Sequence, residues 1–294
     1  MSALKLDSKV IVVTGAGRGL GREHALALAG RGATLVVNDL GVGLDGHGMS
    51  PRPADEVVER ITSAGGTAIA DYSDVATEEG ANALIERTER EFGRLDGVVN
   101  NAGTYHLAPL PEVSVAAFTD LVNVHVMGTL LVTRAGWPLL KKSTTGRIVN
   151  TISEAFLGYR HQGSYGAAKG SIFSLTRVMA VEGADDGIKA NCIVPAVASR
   201  MGALYAEHNG IPLDAVGPEN LPSAPATSVA TYLLHPSCGI SGQTLSINGG
   251  NLTRWEVVQT QGHPYGPDLT PEDVAAAIPR VLELGGARAR ELGL

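Results

Sequence analysis

Residues 10–29, VIVVTGAGRGLGREHALALA, restrict the fold more than any other stretch. A run of β-branched residues ends in a turn carrying Gly15, Gly19 and Gly21, and an amphipathic pattern follows at once. The order is strand, tight turn, helix. Glycines there let the backbone approach an anionic group, and a helix N-terminus offers free N–H groups and positive potential. A glycine triplet alone is a weak signal. Here the next apolar run, ATLVVND at 33–39, ends in Asp39. Strand, glycine turn, helix, strand and acid in that order suit a dinucleotide, with the pyrophosphate on the turn and the acid on a ribose.

The rhythm continues along the chain. VIVVTG, ATLVVND, TAIA, DGVVNN, GRIVNT, IKANCIV and TLSING read as about seven strands. Amphipathic patterns at about 20–31, 54–64, 77–92, 115–140, 164–183 and 226–235 lie between them. Continuous Val/Ile runs belong to strands buried on both faces, and repeated βα units give a doubly wound parallel sheet. We expect an α/β fold in a single domain over 1–294. Two segments break the rhythm. GVGLDGHGMSPRP, 41–53, is a glycine-rich insert. Residues 201–227 carry Pro212, Pro218, Pro222 and Pro225 and read as a long, partly irregular lid over the substrate. Residues 250–294 form a C-terminal extension, with a helix expected from Thr270 as N-cap and Pro271 at its first position.

Composition narrows the function. The net charge of −7 argues against nucleic acid, whose phosphates need a basic face. Cys192 and Cys238 are the only cysteines, and no disulfide framework or metal-ligand spacing can be built from them. They read as buried small apolar residues. No apolar signal core and no run of about 18 apolar residues appears, so a cytoplasmic protein that does not meet a membrane is the expectation.

Residues 150–170, NTISEAFLGYRHQGSYGAAKG, crowd Ser153, Glu154, Tyr159, His161, Tyr165 and Lys169 together. Tyr165 and Lys169 are four apart and share a helical face. A free phenol titrates near 10, and a nearby cation lowers that value toward a usable base. Tyr159 has no cation in helical register and reads as a packing or pocket residue. His161 reads as a solvated loop histidine, and Glu154 as facing solvent.

TGAGRGLG, NNAG at 100–103 and Tyr165-x-x-x-Lys169 together resemble the three signatures of the short-chain dehydrogenase/reductase family. The resemblance implies a Rossmann-type domain and a nicotinamide cofactor. It implies cofactor contacts at Gly15, Arg18, Gly19, Leu20 and Asp39, with Asp74 and Val75 at the adenine. Asn101, Ala102 and Gly103 would line the cofactor, Lys169 would hold the ribose, and Pro195 with Val197 would back the nicotinamide. The family's usual Pro-Gly is here Pro195-Ala196. Asp39 would repel a 2′-phosphate, so NAD is expected over NADP, although Arg18 could hold a phosphate. Ser153 would orient the substrate oxygen, and Tyr165 would exchange its proton. His125 stands where the family often has asparagine, and it would assist a proton relay.

VVNDLG, VHVMG, SRM and LTPEDVAA are similar to a narrower group, the hydroxyacyl-CoA dehydrogenase domains of peroxisomal multifunctional enzymes and their bacterial single-domain relatives. That resemblance implies a 3-hydroxyacyl-CoA or hydroxysteroid substrate, with Arg52, Arg160 or Arg200 as candidates for the CoA phosphates. It also implies a homodimer or homotetramer built through the helices at about 115–140 and 164–183. A small alcohol such as a monoterpenoid or polyol is the alternative substrate, and a non-catalytic NAD-binding regulator the alternative class.

Overall fold

The computed structural model describes residues 3–48, 50, 52–289 and 292. Met49 and Pro51 of the glycine-rich insert, and the extreme ends of the expected 1–294 domain, lie outside the described residues.

Seven apolar runs become the strands of one sheet: β1 (Val10–Thr14), β2 (Thr34–Asn38), β3 (Thr67–Asp71), β4 (Gly97–Asn100), β5 (Arg147–Thr151), β6 (Lys189–Pro195) and β7 (Thr244–Asn248). All seven run parallel, in the order β3-β2-β1-β4-β5-β6-β7. The period-2 alternation of a strand divides their side chains between two cores. Ile11, Val13, Leu35, Val37, Val99 and Val149 face one side. They pack on α1 (Gly19–Ala29), α2 (Arg52–Ser63) and α8 (Ala224–Leu234). Val12, Val36, Val98 and Ile148 face the other. There they meet α3 (Glu78–Phe92), α5 (Gly128–Lys142) and α6 (Gly163–Ala184). The order reverses at β1, whose neighbours are β2 and β4, and a doubly wound sheet opens its binding crevice at such a point.

The structure corrects three expectations. The sheet has eight strands: β8 (Asn251–Trp255) returns antiparallel along β7. Gly249 and Gly250, at φ 56° and 78°, make the two-residue turn between them, and only glycine adopts both angles freely. The segment expected to be a partly irregular lid begins as a helix the sequence reading did not include, α7 (Arg200–His208), capped by the Ser199 hydroxyl accepting from Gly202 N–H. Its last proline, Pro225, opens α8 instead of breaking a helix. Third, α4 (Val115–Val122) runs through a π-turn (Asn123–Met127) into α5, giving one helical run apolar and long enough to cross a membrane. Leu121, Leu131, Val132, Leu139 and Leu140 of this run are buried within the protein, whereas Val115 and Phe118 are exposed.

The extension adds α9 (Pro271–Val281), and β9 (Val258–Gln259) paired with β10 (Arg288–Ala289). α9 starts as expected: the Thr270 hydroxyl accepts from Asp273 N–H and the Asp273 carboxylate accepts from Thr270 N–H.

Candidate active site

A cavity of about 1090 Å³ runs along the C-terminal ends of the central strands. Its floor at one end is the glycine turn. A Cβ on Gly21 would lie 2.1 Å from the Gly15 carbonyl oxygen, and one on Gly15 would lie 2.7 Å from Ala102 Cα. Gly19, at φ 52°, has no atom within 4 Å of where its Cβ would point. The turn is closed behind and open in front. Thr14 locks it to the end of β4: its hydroxyl oxygen accepts from Asn101 N–H at 3.0 Å and Ala102 N–H at 3.1 Å. Asn101 Nδ2 donates to the carbonyls of Thr14 and Gly15.

Asp39 follows β2 and faces the same cavity. Its two carboxylate oxygens accept from Gly17 N–H and Gly41 N–H, both at 2.7 Å, so it also braces the turn against the insert. Arg18 donates to the Val42 carbonyl at 3.2 Å. The insert crosses the cleft, and its Leu44 carbonyl accepts from Tyr105 N–H at 3.0 Å. Asp74 and Val75 line the cavity beside Asn38, as do Leu20, Gly103, Pro195 and Val197. Of the three arginines considered for CoA phosphates, Arg200 lines the cavity, whereas Arg52 is engaged with Glu56 at 2.8 Å on the surface.

The chemical end lies where β5 meets α6. Tyr165 occupies the first turn of α6, and Lys169 follows one turn later, both buried. Lys169 Nζ donates to the Thr151 carbonyl at 2.8 Å and sits 5.5 Å from the Tyr165 ring centroid. Ser153, just after β5, faces the same end of the cavity beside Tyr165, and its hydroxyl accepts from Ala155 N–H at 3.3 Å. Burial pushes the Tyr165 phenol up to about 12, against the pull of Ser153, and burial pushes Lys169 down to about 7. Desolvation thus outweighs the expected lowering of the phenol by the Lys169 cation.

His125 lies in the π-turn, and its ring meets Tyr165 edge-on at 5.5 Å. Its Nε2 lies 2.8 Å from the Thr104 carbonyl and 3.1 Å from Thr104 N. Burial, then the Lys169 charge, holds its pKa well below the ordinary value, so it is a neutral ring. A Cβ on Gly103 would meet that ring at 2.3 Å. This glycine is what lets the histidine enter.

Two loop readings change. Glu154 does not simply face solvent: Tyr159 donates to its Oε2 at 3.1 Å and Asn248 Nδ2 to its Oε1 at 3.3 Å. His161, at φ 63°, is not solvated alone, because its Nδ1 lies 2.7 Å from Nε2 of His208 at the end of α7. Tyr159 stacks on Tyr205 of α7 with centroids 6.4 Å apart. Sequence reasoning missed Tyr105 and Tyr205. Four of the chain's seven tyrosines, 105, 159, 165 and 205, line this one cavity. Tyr159 and Tyr165 share the crowded stretch 150–170, but Tyr105 and Tyr205 join them from two distant segments and have no local signal.

The model for short chain dehydrogenases matches residues 9–208, which span the glycine turn, the strand-end loop and the Tyr165–Lys169 pair. The chain belongs to the short-chain dehydrogenase family. A short-chain type dehydrogenase/reductase of Mycobacterium tuberculosis is 37% identical over 284 residues, covering 96% of this chain and 97% of the relative. The peroxisomal multifunctional enzyme type 2 of Drosophila melanogaster is 41% identical over 267 residues, covering 90% of this chain and 43% of that longer protein. A solved 7α-hydroxysteroid dehydrogenase complexed with NADH and 7-oxo glycochenodeoxycholic acid has a TM-score of 0.73 and 28% identity, covering 85% of this chain and 98% of that one.

This short-chain dehydrogenase is an oxidoreductase acting on CH–OH groups. Its cleft fits the family's nicotinamide cofactor: the backbone cradle at Gly15, Gly19 and Gly21 leaves open space on the cavity side, where a side chain at Gly19 would intrude.

Proposed function

We propose that the protein oxidises a secondary alcohol to a ketone with NAD, and that its substrate is a 3-hydroxyacyl-CoA thioester or a hydroxysteroid. Buried Tyr165 and Lys169 beside half-buried Ser153, at the end of the glycine-braced cleft, are the observation that carries this reading. Asp39 supports NAD, since a carboxylate beyond β2 repels a 2′-phosphate. The likeness to a multifunctional enzyme type 2 and to an NADH-complexed hydroxysteroid dehydrogenase supports the substrate classes.

Bound nicotinamide would supply the hydride acceptor and, when oxidised, a positive charge. Gly15, Arg18, Gly19 and Leu20 would hold the pyrophosphate end, and Asp74 and Val75 the adenine. Asn101, Ala102, Pro195 and Val197 would border the nicotinamide end. Ser153 donates to the substrate oxygen and fixes it beside the phenol. Tyr165 takes the hydroxyl proton onto its oxygen while the carbinol hydrogen departs with its electron pair and the C=O bond forms. Lys169, while protonated, would favour the phenolate by its charge, and it would hold a ribose hydroxyl of the bound cofactor. His125 is a positioning residue that fixes the loop after β4 through Thr104. A homodimer or homotetramer is part of this proposal.

Tyr165→Phe tests it. Alcohol oxidation falls by roughly 10³-fold or more, whereas NADH affinity stays within a few-fold. Retention of most activity by this variant overturns the assignment.

A further inference from the structure

Tyr105 has no part in the mechanism above, yet it stands at its centre. Its ring meets the Tyr165 ring edge-on, with centroids 4.9 Å apart and planes at 86°. It lines the cavity while only 8% exposed. The backbone around it is pinned on both sides: Tyr105 N–H donates to the Leu44 carbonyl, and Thr104 is held by His125. These bonds fix the backbone from which the ring projects. Among the described residues its hydroxyl has no hydrogen-bond partner. The ring is buried, while the hydroxyl oxygen stays accessible from the cavity. Burial, with Tyr165 and Tyr205 nearby, raises its pKa, so it remains a donor and does not compete as a base. An unpartnered donor that opens on the cavity beside the proton-exchanging residue is free to meet an acceptor on the ligand.

We infer that Tyr105 is a specificity-determining residue: its hydroxyl donates to a second oxygen of the substrate, a carbonyl close to the reacting carbinol. The inference rests on the proposed function and chooses between its two substrate classes. A 3-hydroxyacyl thioester carries its carbonyl two carbons from the carbinol and can present both oxygens at once. A hydroxysteroid surrounds its carbinol with ring hydrocarbon and leaves the phenol unpaired. A site that hydrogen-bonds one oxygen rejects a ligand lacking it, because the buried donor then has no partner. The substrate class is thus a β-hydroxycarbonyl compound.

Tyr105→Phe keeps the ring and its edge contact and removes only the donor. Its activity is compared with the wild type on 3-hydroxybutyryl-CoA, on ethyl 3-hydroxybutanoate, and on 2-octanol, an alcohol of similar length without a carbonyl. We expect kcat/KM to fall roughly 10-fold on both β-hydroxycarbonyl substrates and to stay within two-fold on 2-octanol. Equal falls on all three would make Tyr105 a packing residue and overturn the inference, as would no change on any. Binding of ethyl 3-hydroxybutanoate to the NADH-loaded protein, read by nicotinamide fluorescence, tests the same contact without turnover. There the variant binds roughly 10-fold more weakly, and unchanged affinity overturns the inference. If the wild type binds the ester yet oxidises none of the three alcohols, the dehydrogenase reading falls while the Tyr105 contact is still measured. If Tyr105→Phe loses thermal stability, Tyr105→Leu with the same three-substrate comparison replaces it, and the same pattern is required.

Discussion

His24 lies on α1 with its side chain wholly buried, and neither ring nitrogen has a hydrogen-bond partner. Burial lowers its pKa from 6.5 to about 4. The unfolded chain therefore takes up a proton below about pH 6.5 that the folded protein refuses until about pH 4. Stability contributed by the neutral ring is complete above pH 6.5 and is lost as pH falls through that window, by about 3 kcal/mol in all. Urea unfolding of His24→Leu at pH 7 and pH 4.5 checks this: the variant should lose about 2–3 kcal/mol less than the wild type between the two. Tyr165 carries the opposite sign into catalysis. With its phenol raised to about 12, the base form grows with pH across the alkaline range. Oxidation should accelerate between about pH 7 and 10, whereas ketone reduction, which uses the protonated phenol, should not. Initial rates in both directions decide it, and an oxidation rate that is flat with pH removes Tyr165 as the titrating group.

At the scale of elements, the glycine turn separates two kinds of constraint. Gly21→Ala drives a methyl into the Gly15 carbonyl, where backbone must move, and should cost about 2 kcal/mol or more in stability. Gly19→Ala meets no protein atom but is held at φ 52° and points toward the cavity. It should cost about 1 kcal/mol and weaken NADH binding more than it lowers the melting temperature. Thermal melts paired with NADH titrations distinguish the two. The seven parallel strands were legible because strands buried on both faces read as unbroken Val/Ile runs. β8 was not, because NLTRW is mostly exposed and polar and its partner is set by a two-glycine turn. α7 was hidden by the prolines that follow it. The π-turn at Asn123–Met127 has no signature in apolar periodicity, although it is what brings His125 against Tyr165. The Tyr165–Lys169 pair was legible because one helix holds both. Tyr105 was not, because the insert, the π-turn and α6 place it jointly.

Over the whole molecule, the extension is the part the fold uses least. None of the residues of α9 is buried, and Val274 and Ile278 lie exposed on it. We expect light scattering to give a dimer or tetramer, and Val274→Glu with Ile278→Glu to reduce that mass if α9 forms a contact; an unchanged assembly points to the faces of α4–α5 and α6. The strand order has a further consequence, for the time at which the molecule can exist. β1 is central, yet its second neighbour, β4, begins at Gly97, 86 residues after the Ile11 it pairs with, and β5 pairs with β4 only 50 residues later still. On a ribosome the β1–β2–β3 half can assemble early, with the Val-rich flank of β1 still open. Non-local parallel pairings of this kind are slow and leave apolar edges uncovered while they wait. The cleft that binds the dinucleotide is the seam between that early half and the later one, so the site comes into being only when the last-made strands arrive.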